Sequence, residues 1–154
     1  MEDHRSVIAM LHETWFGSEL PPETQDRLAS LASIIAFEAA EELLREGAET
    51  TRMGIVLDGR LALHQVVPGR GPVTILSVEP GDIFGWSVLT PPYRASSTVL
   101  ATQPGRAIVF GGAALRTALA ADHALAASLY PRVLQAVGRR LAATRLQLLD
   151  LFAS

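Results

Sequence analysis

The sequence contains no cysteine, which excludes disulfide bonds, thiolate metal sites and cysteine nucleophiles. It also has no unbroken apolar stretch of the roughly 20 residues that a membrane-spanning helix needs. The first five residues are not the basic start of a signal peptide, and His12 and Glu13 interrupt the apolar residues after them. The formal net charge of −3 gives no general attraction to nucleic acid or acidic membranes. We therefore predict a cytoplasmic protein that binds neither a membrane nor nucleic acid directly.

The patterns of common catalytic sites are missing as well. The four histidines, His4, His12, His64 and His123, are far apart and form no His-x-His pair, so no metal site is predicted. No nucleophile-elbow motif surrounds a serine. We therefore predict no catalytic residues and no enzymatic activity.

The length of 154 residues and the apolar share of 49% fit one domain, 1–154, with a sizeable core. Residues 1–33 are predicted to form two helices that precede the rest of the fold. Apolar spacing indicates the first helix over 4–15, which Gly17-Ser18 is expected to end. Pro22 is a favourable first residue for the second helix.

From residue 34 to residue 110 the pattern changes to short strands separated by turns. The predicted strands are 34–37, 42–44, 53–57, 61–67, 73–78, 98–102 and 106–110. Asp58-Gly59 is predicted to be a two-residue hairpin turn between two of these strands, and Pro104-Gly105 a second turn. Many short strands with glycine turns indicate a closed β-roll or jelly-roll barrel.

Residues 113–152 are predicted to be helical. A short helix over 113–119 is followed by a longer one that Asp122 caps, and Pro131 is expected to kink or restart it. Beyond Pro131, apolar residues with one threonine recur at alternating spacings of three and four, the a/d pattern of a helix-helix seam. They are Leu134, Val137, Leu141, Thr144, Leu148 and Leu151. This seam predicts a homodimer.

The most informative stretch, residues 80–99, follows the predicted strand 73–78 and runs into the predicted strand 98–102. Pro80-Gly81-Asp82 reads as a turn, and the next two residues read as the end of a buried strand. Gly85 then turns the chain, and Pro91-Pro92 limits the segment after it to one helical turn. Backbone N–H groups at the start of that turn, followed by Arg94 and several hydroxyl residues, form a candidate anion site.

This stretch resembles the phosphate-binding cassette of cyclic-nucleotide-binding domains, the sensory module of the catabolite activator (Crp/Fnr-like) family. The resemblance extends over nearly the whole chain. Arg45-Glu46-Gly47-Ala48 resembles an early glycine turn of that family, residues 54–63 resemble its central hairpin, and Arg139-Arg140-Leu141 resembles the start of its dimerisation helix. The resemblance implies a mainly β fold with helical ends (α+β), a jelly roll, N-terminal helices and a long C-terminal dimerisation helix.

The same resemblance implies a ligand site for cyclic AMP or cyclic GMP. The implied ligand-binding residues are Phe84, Gly85, Trp86, Ser87, Val88, Arg94, Ser96, Ser97, Thr98, Thr144 and Arg145. Three positions depart from the family. Trp86 replaces a glutamate that accepts hydrogen bonds from the ribose, Ala95 takes the place of the cassette arginine with Arg94 one residue earlier, and Arg145 replaces a serine.

Three alternative functions are consistent with these features. The first is a regulatory sensor of a cyclic nucleotide or another small anionic ligand. The second is a module that has lost ligand binding and acts as a dimer or adaptor. The third is the sensory half of a Crp/Fnr-type transcription regulator whose DNA-binding part is missing. It is called a half because no helix-turn-helix, and so no DNA-binding domain, comes after the last predicted helix in this sequence.

Overall fold

The computed structural model describes residues 3–153, in which helices at both ends of the chain pack on a six-stranded sheet. In chain order the elements are α1 (His4–Glu13), α2 (Trp15–Ser18), α3 (Pro22–Leu31), β1 (Ala32–Phe37), β2 (Glu42–Leu44), β3 (Arg52–Val67), β4 (Gly71–Val78), β5 (Ile83–Phe84), a 3₁₀ turn (Trp86–Leu89), β6 (Thr98–Gly111), α4 (Gly112–Ala121) and α5 (His123–Ala153). This arrangement confirms the predicted mainly β fold with helical ends. None of the described helices is long and apolar enough to cross a membrane.

The two longest strands, β3 and β6, lie at the centre of the sheet. The order is β1-β6-β3-β4, with β2 added to β6 and β5 added to β3, and every pair is antiparallel. One apolar cluster fills the interior of this roll, with fully buried members such as Val56, Leu61 and Phe84. A second cluster joins the outer face of the strands to the helices. The roll interior therefore has its own core, at whose edge the candidate site lies.

The predicted hairpin at Asp58-Gly59 is wrong, because β3 runs through these residues without reversing. The turn predicted at Pro104-Gly105 is wrong for the same reason, since β6 also continues through it. The two glycines face each other across the β3–β6 pair, where a Cβ on Gly59 would lie 2.5 Å from the Pro104 carbonyl oxygen. Register shifts around Asp58 show that the pair of glycine positions forms a bulge rather than two turns. The bulge bends both long strands together.

The break in the first helix lies at Thr14 and not at the predicted Gly17-Ser18, which belong to α2. The Thr14 hydroxyl donates to the Leu11 carbonyl oxygen and accepts a hydrogen bond from the Gly17 N–H, which caps α2. Gly17 is needed for a different reason, because a Cβ there would lie 2.1 Å from the Leu11 carbonyl oxygen. The second helix begins at Pro22 as predicted.

Helix α5 begins after Asp122, whose carboxylate accepts a hydrogen bond from the Leu125 N–H as predicted for a cap. Pro131 lies inside α5 and does not end it, so of the two predicted effects, a kink or a restart of the helix, the restart is wrong. Its neighbours two residues to either side, Leu129 and Val133, are buried in the helical core cluster. Packing of this face holds the helix across the missing backbone hydrogen bond.

The N-terminal helices are held to α5 through Trp15. The guanidinium of Arg132 lies 3.9 Å from the centre of a Trp15 ring and that of Arg139 lies 3.8 Å from it. Arg132, which is buried, also donates hydrogen bonds to the carbonyl oxygens of Phe16 and Trp15 and to the Gln135 side chain. These contacts place α5 in a defined position beside the mouth of the roll.

Candidate ligand-binding site

The site begins at Gly85, where the chain leaves β5. Gly85 has a φ of +79°, and a Cβ there would lie 2.4 Å from the carbonyl oxygen of Arg52, so only glycine fits without a shift of the backbone. The chain then forms the predicted single helical turn, which is of the 3₁₀ type. In that turn the Val88 N–H donates to the Gly85 carbonyl oxygen at 3.2 Å. The N–H groups of Trp86, Ser87 and Val88 are the donors expected to receive an anion, and that of Val88 is therefore already used.

A small inner cavity, of about 30 Å³, opens beside this turn at the edge of the roll core. Its lining residues are Leu44, Leu63, Phe84, Gly85, Trp86, Ser87, Ala95, Ser96, Ser97, Val99 and Arg140. The Phe84 ring lies against Gly54, where a Cβ would approach the ring to 2.3 Å. The hydroxyl groups of Ser87 and Thr50 lie 2.6 Å apart and form a hydrogen bond. The wall of the inner cavity is thus mostly apolar and closely packed at Phe84.

A second space, the outer groove, of about 250 Å³, lies between α5 and the sheet. It is lined by Leu63, Gln65, Ile75, Leu76, Trp86, Ser96, Ser97, Val137, Arg140, Leu141 and Thr144. The inner cavity and the outer groove share Leu63, Trp86, Ser96, Ser97 and Arg140. They therefore form two parts of one site that meet at Trp86 and Arg140.

Arg140 is the one charged residue in the lining of both spaces. Its Nη2 donates to the carbonyl oxygen of Ile83 at 2.7 Å, and its guanidinium lies 4.8 Å from the centre of the Trp86 ring. Its Nη1 is buried and has no hydrogen-bond partner in the part of the chain that the structure describes. Burial lowers the pKa of Arg140 from its ordinary value, and the charge of Asp82 acts in the opposite direction. The site thus contains a half-buried cation with one buried, unsatisfied donor.

Most of the residues that the sequence predicts for the ligand site do meet here. Phe84, Gly85, Trp86, Ser87, Ser96 and Ser97 line the inner cavity, and Thr144 lines the outer groove. Thr144 is also held to α5, because its hydroxyl donates to the Arg140 carbonyl oxygen at 2.9 Å. The structure therefore brings the cassette and the last helix together, as the resemblance implies.

Val88, Arg94, Thr98 and Arg145 lie outside both linings. Arg94 is exposed, and its Nη1 donates to the Gly47 carbonyl oxygen at 2.8 Å, so its charge is turned away from the cavity. The Thr98 hydroxyl accepts a hydrogen bond from the Glu46 N–H at 3.0 Å. Arg145 is exposed on α5. Arg94, which stands one residue before the position of the family arginine, therefore does not take that arginine's place in the cavity.

Arg140 is the residue that the sequence prediction missed. The resemblance places Arg140 only at the start of the dimerisation helix. The sequence does contain a signal for its role in the site, because Arg140 precedes the predicted ligand residue Thr144 by four positions and both therefore lie on one face of a helix. Ala95, at the place of the family arginine, lines the inner cavity with a methyl group. Across residues 3–153, no group of three or more histidine, aspartate or glutamate side chains is arranged to hold a metal ion.

Comparisons with known proteins agree with this architecture. The family model described as "Cyclic nucleotide-binding domain" matches residues 34–122, more than half of the chain. A cyclic nucleotide-binding protein structure from Geobacter metallireducens is 28% identical, with a TM-score of 0.77, over 92% of this chain and 99% of that one. A cyclic nucleotide-binding domain from Methylobacillus flagellatus is 22% identical, with a TM-score of 0.81, over 96% and 83%.

A third similar structure is the N-terminal domain of a transcriptional regulator from Streptomyces coelicolor. It is 24% identical, with a TM-score of 0.67, over 90% of this chain and 94% of that one. No curated protein matches the chain. The fold is thus shared with these three solved structures.

Proposed function

Because this chain belongs to the cyclic nucleotide-binding domain family, we propose that it is a non-enzymatic regulatory module that binds a cyclic nucleotide or another small anionic ligand. Domains of this family are generally regulatory rather than catalytic. The proposed ligand site consists of the inner cavity and the outer groove. The proposal includes a homodimer through α5, and a cytoplasmic location remains a prediction from the sequence.

One observation carries this proposal: the cassette turn after β5 and the half-buried side chain of Arg140 line the same cavity. An apolar pocket with a few convergent polar groups is the usual form of a small-molecule site. Here Ser96 and Ser97 supply hydroxyl groups, Trp86 supplies a flat ring, and Arg140 supplies a positive charge. This combination favours an anionic ligand with an apolar part.

The second candidate function is a module without a ligand, which acts as a dimer or adaptor. The size of the inner cavity favours it, since about 30 Å³ is far below the roughly 300–1,000 Å³ of typical ligand pockets. Trp86 occupies the space beside the cassette, and Ala95 offers no charge to a phosphate. The third alternative, the sensory half of a transcription regulator, stays a prediction from the sequence.

Calorimetric titration with cyclic AMP and cyclic GMP separates the first two candidates. We expect weak binding at best by the unmodified protein, because Trp86 donates one hydrogen bond and accepts none, so the ribose loses its carboxylate partner. Trp86→Glu is expected to strengthen cyclic-nucleotide binding by roughly ten- to a hundredfold, the equivalent of about 1–3 kcal/mol for a buried hydrogen-bond partner.

The matched control is Trp86→Phe, which opens some space but adds no acceptor, and it is expected to gain much less affinity than Trp86→Glu. Because Trp86 packs against the helical core cluster, a thermal melt of each variant must show that it is folded. Sub-micromolar binding of cyclic AMP by the unmodified protein would contradict the expectation, since the carboxylate would then be dispensable.

We also expect no turnover of a bound nucleotide. Water attack on a phosphodiester needs a metal ion or a positioned base, and the linings of the inner cavity and the outer groove contain no carboxylate and no histidine. Incubation with cyclic AMP and Mg²⁺ or Mn²⁺, followed by chromatography, is expected to return the substrate. Hydrolysis that scales with protein and survives a second purification would show an enzyme instead.

A further inference from the structure

Arg140, which is half-buried with a buried Nη1, has no carboxylate partner among the described residues. In the described residues, Arg140 takes part in no ion pair, whereas Arg45, Arg60 and Arg106 each contact an acidic side chain at the surface. Asp82, whose charge acts on Arg140, uses one carboxylate oxygen to accept a hydrogen bond from the Glu79 N–H. A buried charge without a partner is costly and is therefore normally paired.

Arg132 shows how this protein stabilises a buried arginine when the role is structural. Burial lowers the pKa of both Arg132 and Arg140. Arg132 donates to two backbone carbonyl groups and to Gln135. Within residues 3–153, Arg140 donates only to Ile83, and its Nη1 is buried and unpaired. Packing alone does not account for this difference, because an aliphatic side chain of similar length would fill the same space without the cost of burying an unpaired donor.

We infer that Arg140 is the anion-binding residue of this site, and that the ligand is a small monoanion with a flat apolar body. The anionic group would pair with the guanidinium of Arg140 where the inner cavity and the outer groove meet. The body would lie in the outer groove against Trp86. This inference deepens the proposed function and rests on it.

The composition of the two linings limits the ligand. Arg140 is the only cation and no carboxylate is present, so one negative charge is matched and a second would be unpaired. The inner cavity of about 30 Å³ is the size of a carboxylate or of two to three water molecules, at roughly 10–15 Å³ each. A sugar with a fused phosphate ring does not fit there beside Trp86.

The outer groove fits the apolar part. Its volume of about 250 Å³ is bounded by Leu63, Ile75, Leu76, Val137 and Leu141, with the Trp86 ring on one side. An aromatic ring laid on the indole would replace water on its face. An aromatic carboxylate and a cyclic phosphodiester each carry one negative charge that can pair with Arg140. The experiment therefore includes both.

The test uses four probes and the full chain. They are 2-naphthoate, its neutral analogue 2-naphthalenemethanol, cyclic AMP and cyclic GMP, each titrated by calorimetry and by amide and indole NMR. The sequence has two tryptophans, so the Trp86 indole N–H signal can be assigned with a Trp15→Phe variant. We expect 2-naphthoate to shift the Trp86 signal and to bind at least about tenfold tighter than the neutral alcohol.

Arg140→Met keeps an unbranched side chain on Trp86 but removes the charge, and it is expected to weaken 2-naphthoate binding by roughly ten- to a hundredfold. Arg140→Lys keeps the charge without the planar fork and is expected to lose less. Arg94→Met is the matched control, because Arg94 is exposed and outside both linings, and it is expected to bind as the unmodified protein does. Melting curves check that each variant is folded.

The outcomes separate the two proposals. If no probe binds, the assignment of Arg140 is wrong, and the module without a ligand is favoured over the proposed function. If an anion binds equally well to folded Arg140→Met, or if the neutral alcohol binds as tightly as 2-naphthoate, only the assignment is wrong. If a cyclic nucleotide binds through Arg140 and 2-naphthoate does not, Arg140 is supported and the ligand is a phosphodiester.

Discussion

The double variant Leu141→Glu, Leu148→Glu is expected to be monomeric at concentrations where the unmodified protein is a dimer. Leu141 and Leu148 occupy successive a positions of the predicted seam, and their exposed fractions in the single chain are 50% and 54%. Leu134, at the preceding a position, is 71% exposed. Burial of a leucine is worth about 1.5–3 kcal/mol, and each substitution acts in both copies. We expect the dimer Kd to rise at least about a thousandfold, the equivalent of roughly 4 kcal/mol.

Light scattering after size-exclusion chromatography measures this effect. The matched control is Ala142→Glu, Leu149→Glu, which places the same two charges one residue further along α5, away from the a positions, and is expected to remain dimeric. Both control positions are exposed. An unmodified protein that is monomeric at high micromolar concentration would contradict the seam, and the loss of the dimer in the control alone would move the interface to another face of α5.

Gly85→Ala is expected to lower the free energy of unfolding by about 3–5 kcal/mol. Two costs combine at this position. A φ of +79° disfavours any residue with a Cβ, and this Cβ would lie 2.4 Å from the Arg52 carbonyl oxygen, a backbone atom held in β3. Since Gly85 also lines the inner cavity, we expect the displaced turn to weaken ligand binding as well. In a protein of this size, a loss of that magnitude lowers Tm by roughly 10 °C.

Gly69 provides the control for the backbone conformation alone. Its φ is +82°, almost the same, but a Cβ there would have no atom within 4 Å. Gly69→Ala is therefore expected to cost about 1–2 kcal/mol, and the difference between the two variants measures the steric conflict at Gly85. Urea unfolding of both proteins gives the two free energies. Equal losses would show that the site turn can move away from β3 without cost.

Local patterns predicted much of this fold because the residues that end its elements act through their own backbone. Asp122 caps α5, Pro22 begins α3, and Gly85 turns the chain after β5. The same local reasoning failed at Asp58-Gly59. A positive φ at Gly59 fits either a hairpin turn or a bulge, and the choice depends on Gly105, which is distant in sequence and faces it across the sheet.

The site shows the same limit more sharply. The cassette side chains lie within one stretch of sequence, and most of them meet as predicted. The positive charge does not come from that stretch. Arg94 has a local partner in the Gly47 carbonyl group, while Arg140 reaches Ile83 from a helix 57 residues later in the chain. The direction of an arginine side chain depends on which hydrogen-bond acceptor tertiary packing brings near it. The spacing of residues in the sequence does not reveal that acceptor.

Val137, Leu141 and Thr144 line the outer groove and also belong to the a/d seam of α5. A ligand in the groove and a second copy of the chain would therefore contact the same stretch of helix. By thermodynamic reciprocity, any change that the ligand makes in dimer affinity must equal the change that dimerisation makes in ligand affinity. The proposed module would then respond to its own abundance as well as to its ligand. The same titration, repeated at low and at high protein concentration, would give two different apparent affinities.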